Sequence, residues 1–290
     1  MFRKLAIFLQ MIKFEHTVFA LPFAFMGALL GSQTMNHHLP SWSQIGWVLL
    51  AMFGARSAAM GLNRLIDRVS DAKNPRTKNR AIPAGLLKIG EVVVFVIISF
   101  VLLFWAAAEL NPLALKLLPI AVFMLVFYSF TKRFTWLCHI VLGLTIALAP
   151  LGGWAAVTGT VNWAAMVFFV TITFWIAGFD VIYACQDIEF DIKEGLHSIP
   201  VRFGVAKSLK IAQAFHIITA LGFIALLLMT DLGWWYIAGM IIAYLILFYE
   251  HHIVSPGDLS RLQTAFFTMN GVLSIVVFSF TLIDLVVRHY

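Results

Sequence analysis

Apolar runs of about 20 residues, the length a helix needs to cross the hydrocarbon core of a bilayer, recur along this whole chain. In lipid every backbone polar group must be satisfied inside the structure, which leaves helices or a closed barrel. Runs this long, without strand-like alternation, select helices. On that ruler the sequence predicts nine spans at roughly 16–35, 43–69, 91–110, 113–130, 135–157, 162–190, 207–229, 233–251 and 265–287. Of the 290 residues 61% are hydrophobic and 12% charged, and the mean hydropathy is +0.92. A soluble domain of that length would lack the polar residues to cover its surface. The expected fold is all-α: a polytopic membrane protein with residues 1–290 forming a single transmembrane domain.

The formal charge of +6 does not point to nucleic acid, because the basic residues sit in short loops between apolar spans. With nine spans, seventeen of the 20 lysines and arginines fall on the N-terminal side of the membrane. Lys116 and Arg288 fall opposite, and Arg56 lies within a span. Such an asymmetry orients the basic side toward the cytoplasm, so the N-terminus and the long loops at about 72–90 and 192–206 are expected there, in a bacterial inner membrane. Residues 3–14, with Arg3, Lys4 and Lys13 among Leu5, Phe8, Leu9 and Ile12, read as an amphipathic lead-in (within 1–15) at the lipid surface. Met1-Phe-Arg-Lys resembles the start of a signal peptide, but no convincing cleavage site follows, so the first apolar run is expected to stay as a helix. Cys138 and Cys185 form no metal or disulfide pattern.

Two acidic stretches break the apolar background. Asn63, Asp67 and Asp71 are spaced i, i+4, i+8, and so are Tyr183, Asp187 and Asp191, with Asp180 just before them. At about 100° per residue, Arg56, Asn63, Asp67 and Asp71 share roughly 80° of one helix face, as do Asp180, Tyr183, Asp187 and Asp191 on the sixth span. Each step climbs about 6 Å. Both ladders are expected to close their helices, since Asn74 precedes Pro75 and Gly195 can cap. The macrodipole disfavours carboxylates at a helix C-terminus, so a cation is expected there. An all-oxygen ligand set without Cys or His suits Mg²⁺. The loop bases Arg76, Lys78 and Arg80, Lys132 and Arg133, and Lys193 and Arg202 lie next to the ladders, as anion partners would. Together they outline a site for Mg²⁺ and a pyrophosphate.

Arg56 needs a partner of its own, because an arginine at the centre of a span costs about 2.5–3.5 kcal/mol. Either it forms an ion pair with Asp180, or it faces a cavity and binds an anionic group of a substrate. Tyr128 and Tyr183 are candidates to line that pocket. His37-His38 and His251-His252 read as loop or interface residues. Trp42, Trp47, Trp163, Trp234 and Trp235 fall near span ends and read as interfacial anchors. The second and sixth spans end alike, which hints at a parallel repeat.

Asn63-x-x-x-Asp67-x-x-x-Asp71, followed by Asn74-Pro-Arg-Thr-Lys-Asn-Arg80-Ala-Ile-Pro83-Ala-Gly85, resembles the first signature of the UbiA superfamily of intramembrane prenyltransferases. Asp187-x-x-x-Asp191, followed by Gly195-Leu-His-Ser-Ile-Pro200-Val-Arg-Phe-Gly204, is similar to the second. Tyr128-Ser-Phe-Thr-Lys-Arg133-Phe-Thr matches the family's basic segment after the fourth helix, and the resemblance covers essentially the whole chain. It implies nine helices around a central cavity, with Asn63, Asp67, Asp71, Asp187 and Asp191 binding polyprenyl pyrophosphate through Mg²⁺. Arg76, Arg80, Lys132 and Arg133, with Tyr183 and Lys193 nearby, would then contact the phosphates or close the site. The chain looks most like quinone-pathway enzymes that prenylate an aromatic carboxylic acid, typically 4-hydroxybenzoate. Ala58-Ala-Met-Gly-Leu-Asn-Arg64 resembles instead a branch that prenylates 1,4-dihydroxy-6-naphthoate in the futalosine route to menaquinone.

In the mechanism this implies, cations stabilise the leaving pyrophosphate and the allylic cation attacks a ring carbon ortho to a hydroxyl. The ring proton passes to a carboxylate, with Asp191 the first candidate, or to the pyrophosphate. A long polyprenyl tail stays in membrane lipid, since each buried CH₂ is worth about 0.8 kcal/mol, and leaves sideways between helices. Two rival readings fare worse. The Asp-Gly and Ala-Arg motif of phospholipid-making phosphotransferases is absent. A cation- or proton-coupled transporter would hold its acidic groups nearer the bilayer midplane.

Overall fold

The computed structural model of the chain describes residues 2–12 and 17–289. Lys13 and the rest of the lead-in beyond residue 12 lie outside the described residues. The helices are α1 (Phe2–Met11), α2 (Thr17–Asn36), α3 (Trp42–Ile66), α4 (Arg68–Lys73), α5 (Ile89–Leu110), α6 (Pro112–Thr131) and α7 (Cys138–Thr158). They continue as α8 (Trp163–Ala184), a 3₁₀ turn Cys185–Asp187, α9 (Ile188–Lys193), α10 (Ile199–Met229), α11 (Trp234–His252), a π-turn Thr264–Met269 and α12 (Asn270–His289). The described residues contain no strand, only an isolated bridge between Ser255 and Asp258.

Among the described residues seven helical segments are long and apolar enough to cross a membrane. α2, of 20 residues, and α11, of 19, coincide with the two other predicted spans. Apolar surface all round and seven spanning helices make this an integral membrane protein. Trp42, Trp163 and Trp234, each at a helix start, are at least 80% exposed, as anchors at a lipid–water boundary would be.

Consecutive long helices pack side by side in the order α2, α3, α5, α6, α7, α8, α10, α11, α12, and α12 returns to α2 to close a ring. α2 also packs across the ring on α7. That contact needs small residues, because in lipid helices associate through close backbone approach rather than hydrophobic drive. A Cβ on Gly153 would stand 2.3 Å from the Ala24 carbonyl oxygen. Gly153→Ala should therefore destabilise the protein by about 1–3 kcal/mol, read as a lower unfolding temperature in detergent. Gly152→Ala, whose Cβ meets nothing within 4 Å, is the control that should stay neutral.

The core sits in the half of the ring built by α2, α7, α8, α10, α11 and α12, around Phe23, Trp154, Phe168, Trp175, Phe223 and Tyr236. Asp284 on α12 caps α11 from outside its own chain segment. Its carboxylate accepts from the backbone N–H of Gly233 at 2.7 Å and of Trp235 at 3.1 Å, where the dipole favours negative charge. The lead-in packs its apolar face on the start of α5, with Phe8 stacked on Phe95 at 4.9 Å and Lys4 paired with Glu91.

Several expectations need correcting. The stretch read as the 192–206 loop is partly helical: residues 199–203 form the first turns of α10, which breaks at Gly204 (φ 75°, ψ 166°). His251, read as a loop or interface residue, lies in the last turn of α11, where its Nε2 meets His216 Nδ1 at 2.9 Å.

Candidate active site

The acidic ladders do not run along unbroken helices. α3 ends at Ile66 and Asp67 takes φ −91°, ψ 3°; α8 gives way to the 3₁₀ turn and Asp187 takes φ −100°, ψ 5°. Both middle aspartates thus occupy the sparsely allowed bridge region, where active-site residues recur. Each is then followed by a six-residue helix, α4 or α9. The break changes the electrostatics expected from sequence. Asp71 and Asp191 fall in the first turn of these new helices, where the dipole favours carboxylates, not at the end of the old ones. The shared geometry at Asp67 and Asp187 also gives the parallel-repeat hint a local structural basis.

The turns that follow hold the ladders in place. Asn74 is extended (φ −80°, ψ 120°) before Pro75, and its Oδ1 accepts from Arg76 N at 2.9 Å. α9 ends in a Schellman motif, with Leu196 N bonded to Asp191 O at 2.8 Å and Gly195 N to Ile192 O at 3.2 Å. Gly195 supplies the left-handed residue this needs, at φ 67°. Lys73 and Glu194, 2.6 Å apart, tie the two loops together.

Between the ladders lies a cavity of about 210 Å³ lined by Asn63, Asp67, Asp71, Asp187 and Asp191 with Arg76, Arg80, Lys132 and Arg133. Every aspartate is engaged by a base. Arg76 forks onto Asp187, Nε to Oδ1 at 3.0 Å and Nη2 to Oδ2 at 2.7 Å. Arg80 Nη1 reaches both oxygens of Asp71 at 2.6 and 2.8 Å. Arg133 Nη2 lies 3.4 Å from Asp67 Oδ1 and donates to Ile66 O at 2.9 Å. Lys132 Nζ is 2.8 Å from Asp191 Oδ1, an ion pair without hydrogen-bond geometry. Asp191 is fully buried, and its Oδ2 has no partner among the described residues. Burial acts to lower the pKa of Arg76, but the hydrogen bond and charge of Asp187 outweigh it, so the guanidinium ends above its ordinary value.

Asn63 donates to Asp67 Oδ2 at 2.8 Å and accepts from Arg64 Nη1 at 3.1 Å, which fixes its amide. Tyr183 stands at the rim, its hydroxyl accepting from Arg76 Nη1 at 3.3 Å. Lys193 does not join this group: it is exposed at the end of α9 and does not line the cavity. Ser70, Asn74, Thr77 and Ser129, which do line it, were not singled out from sequence. Asn74, Thr77 and Ser129 lie inside the quoted signature segments, and Ser70 stands next to Asp71, but no role was read for them in the cavity.

A second cavity, of about 340 Å³, is almost wholly apolar. The same helices line both cavities on successive turns. On α3, Arg56, Ala59 and Met60 face the apolar one and Asn63, with Asp67 at the helix cap, the polar one; on α6, Tyr128 faces the first and Ser129, with Lys132 at the cap, the second. Arg56 therefore lines the apolar chamber, two turns before Asn63 of the charged one. Asp180, considered above as its ion-pair partner, is bonded to His139 Nδ1 at 2.7 Å. That buried histidine was not noticed in the sequence.

Among the described residues no three His, Cys, Asp or Glu side chains are grouped to hold a metal by themselves. Mg²⁺ does not require it, because one or two carboxylates, water and substrate phosphates complete its shell. The oxygen-only donors and the unpartnered Oδ2 of buried Asp191 fit such an ion. Four carboxylates facing four bases make the cavity balanced in charge.

The sequence profile of the UbiA prenyltransferase family matches residues 20–272. The 4-hydroxybenzoate octaprenyltransferase of Vibrio campbellii is 29% identical over 239 residues, 82% of this chain and 84% of that protein. In structure, a UbiA homologue from Aeropyrum pernix superposes with a TM-score of 0.84 at 29% identity, over 93% of this chain and 98% of that one. A UbiA homologue from Archaeoglobus fulgidus bound to GPP and Mg²⁺ has a TM-score of 0.76 at 22% identity, over 97% and 99%, and shares the fold. With paired acidic turns, interleaved bases and an adjoining apolar chamber at its centre, the chain belongs to the UbiA prenyltransferase family and is a prenyltransferase.

Proposed function

We propose that this protein transfers a polyprenyl group from polyprenyl pyrophosphate to the ring of 4-hydroxybenzoate, in quinone biosynthesis and with Mg²⁺. The observation that carries this reading is the stacking of the two cavities, a charge-paired chamber below an apolar one with Arg56 and Tyr128 in the latter's wall. A pyrophosphate fits the first, a polyprenyl tail and an aromatic ring the second, and the carboxylate of the ring would meet Arg56. The names of relatives such as the Vibrio campbellii enzyme support the acceptor, and the ligands of the Archaeoglobus fulgidus homologue support the donor and the metal.

Asn63, Asp67, Asp71, Asp187 and Asp191 would hold the metal, which when bound neutralises charge on the pyrophosphate. Arg76, Arg80, Lys132 and Arg133 exchange their carboxylates for phosphate oxygens and stabilise the leaving group where its charge develops. The C1–O bond of the donor breaks with its electron pair leaving on the pyrophosphate. C1 then bonds to the ring carbon ortho to the hydroxyl, and that carbon loses its proton to the pyrophosphate or to a carboxylate. The apolar walls keep water from the allylic cation. In the membrane, all nine long helices cross, with the N-terminus and the site's loops on the cytoplasmic face of a bacterial inner membrane, as the basic loops favour.

The test is an Mg²⁺-dependent assay of purified protein with geranyl pyrophosphate, offering 4-hydroxybenzoate and, separately, 1,4-dihydroxy-6-naphthoate, with products identified by mass. Prenylated 4-hydroxybenzoate is the expected product, and chelation with EDTA should remove it. Product from the naphthoate alone would overturn the acceptor assignment and move the enzyme to menaquinone synthesis.

A further inference from the structure

α12 contributes no acid or base to the charged cavity, yet its first turn is built on a buried polar cluster outside it. Glu250, near the end of α11, is 0% exposed and Asn270, the first residue of α12, is 1% exposed. Asn270 Nδ2 lies 3.2 Å from Glu250 Oε1 and also donates to the carbonyl oxygens of Ala265 at 3.0 Å and Phe266 at 3.1 Å. Both carbonyls belong to the π-turn Thr264–Met269. Such a turn inserts a residue into the helical ladder and disturbs its regular bonds, so a side-chain donor at this point stabilises it. Glu250 Oε2 and Asn270 Oδ1 have no hydrogen-bond partner, so the cluster is costly where it lies.

The π-turn presents its side chains to the second ladder. The Phe266 ring stacks on Tyr183 with centroids 4.0 Å apart and planes 29° apart. Phe267 meets the same ring edge-on at 6.0 Å, and Gln263 Nε2 donates to Gln186 Oε1 at 3.3 Å. The Tyr183 hydroxyl in turn accepts from Arg76, whose fork holds Asp187. Contacts thus run without a gap from Glu250 to the rim of the charged cavity.

We propose that Asn270, braced by Glu250, is a positioning residue for the prenyl donor: through the π-turn it fixes the Phe266–Tyr183 stack and so holds Arg76 in place for the pyrophosphate. This rests on the reading that the Arg76–Asp187 side of the cavity takes the pyrophosphate. Arg56 and the apolar chamber that takes the acceptor ring lie outside the relay, so acceptor binding does not depend on it.

The experiment measures KM for geranyl pyrophosphate and for 4-hydroxybenzoate with the full-length protein in nanodiscs at saturating Mg²⁺. Phe266→Leu keeps apolar bulk but removes the ring; Asn270→Ala removes the brace; Glu250→Gln keeps the Oε1 acceptor and should behave as wild type. The two disrupting variants should each raise the donor KM about fivefold to tenfold, the worth of one aromatic stack, with the acceptor KM unchanged. Combined, they should do no more than either alone, because they break one chain of contacts. An unchanged donor KM in Phe266→Leu, an equal rise in both KM values, or additive effects would overturn the inference. Should Asn270→Ala fail to fold, Phe266→Leu decides by itself. Arg76→Ala separates the two levels: if it leaves the donor KM unchanged, the underlying pyrophosphate site is wrong, whereas a rise there without one in Phe266→Leu defeats the relay alone.

Discussion

Asp191→Ala should lower kcat/KM at least about a thousandfold, the upper range for removing one preorganised charge-stabilising group. The carboxylate is fully buried, and among the described residues its one ion pair is with Lys132 at 2.8 Å. A buried carboxylate is costly even when one oxygen is ion-paired, and the open Oδ2 suits a bound cation. Asp191→Asn keeps the shape and loses the charge, so it should be almost as inactive. The fold should survive both changes, because the Lys132 side chain is 36% exposed and can turn to solvent. Rates should be measured alongside the unfolding temperature. Full activity in Asp191→Ala, or in the parallel Asp67→Ala, would sink the metal-ladder mechanism.

The second large effect is expected at Arg56. Arg56→Ala should raise the KM for the aromatic acid about a hundredfold, within the range for truncating one partner of a buried charged pair. The donor KM should stay put, since Arg56 does not line the charged cavity that takes the pyrophosphate, and a guanidinium has nothing to bind on an apolar tail. Arg56→Lys should recover only part of the loss, because an ammonium cannot reproduce the two-pronged contact of a guanidinium with a carboxylate. A change confined to the donor KM would show that Arg56 serves the pyrophosphate or the tail instead.

Much of the site could be read from the residue order. Asp67, Asp71, Asp187 and Asp191 do converge, and Arg76, Arg80, Lys132 and Arg133 do meet them. Spacing sufficed because residues four apart share a helix face whether or not the helix later breaks. The breaks themselves were not legible. Asp67 N still bonds Asn63 O at 2.9 Å and Asp71 N still bonds Asp67 O at 2.7 Å, so the helical pattern of side chains persists through the change in backbone. Lys193 misled for a related reason: it stands next to the second ladder in sequence, but its place on α9 turns it outward. His139 escaped because a lone histidine in an apolar run has no spacing to mark it, and its partner Asp180 lies 41 residues away.

By itself the sequence determined that this chain lives in a membrane as a bundle of long helices, with acids and bases gathered near their basic ends. Those properties follow from run length, from the cost of charge in lipid and from periodicity along one helix, all of which are local. Only the tertiary structure decided which base meets which acid. Arg76 crosses 111 residues to reach Asp187 while Arg80 stays with Asp71 nine residues away. It also decided that Arg56 lines an apolar chamber, and that the π-turn before the last helix leans on the second ladder through Phe266. Pairings of this kind depend on how the ring of helices closes, and many closures are compatible with the same local pattern.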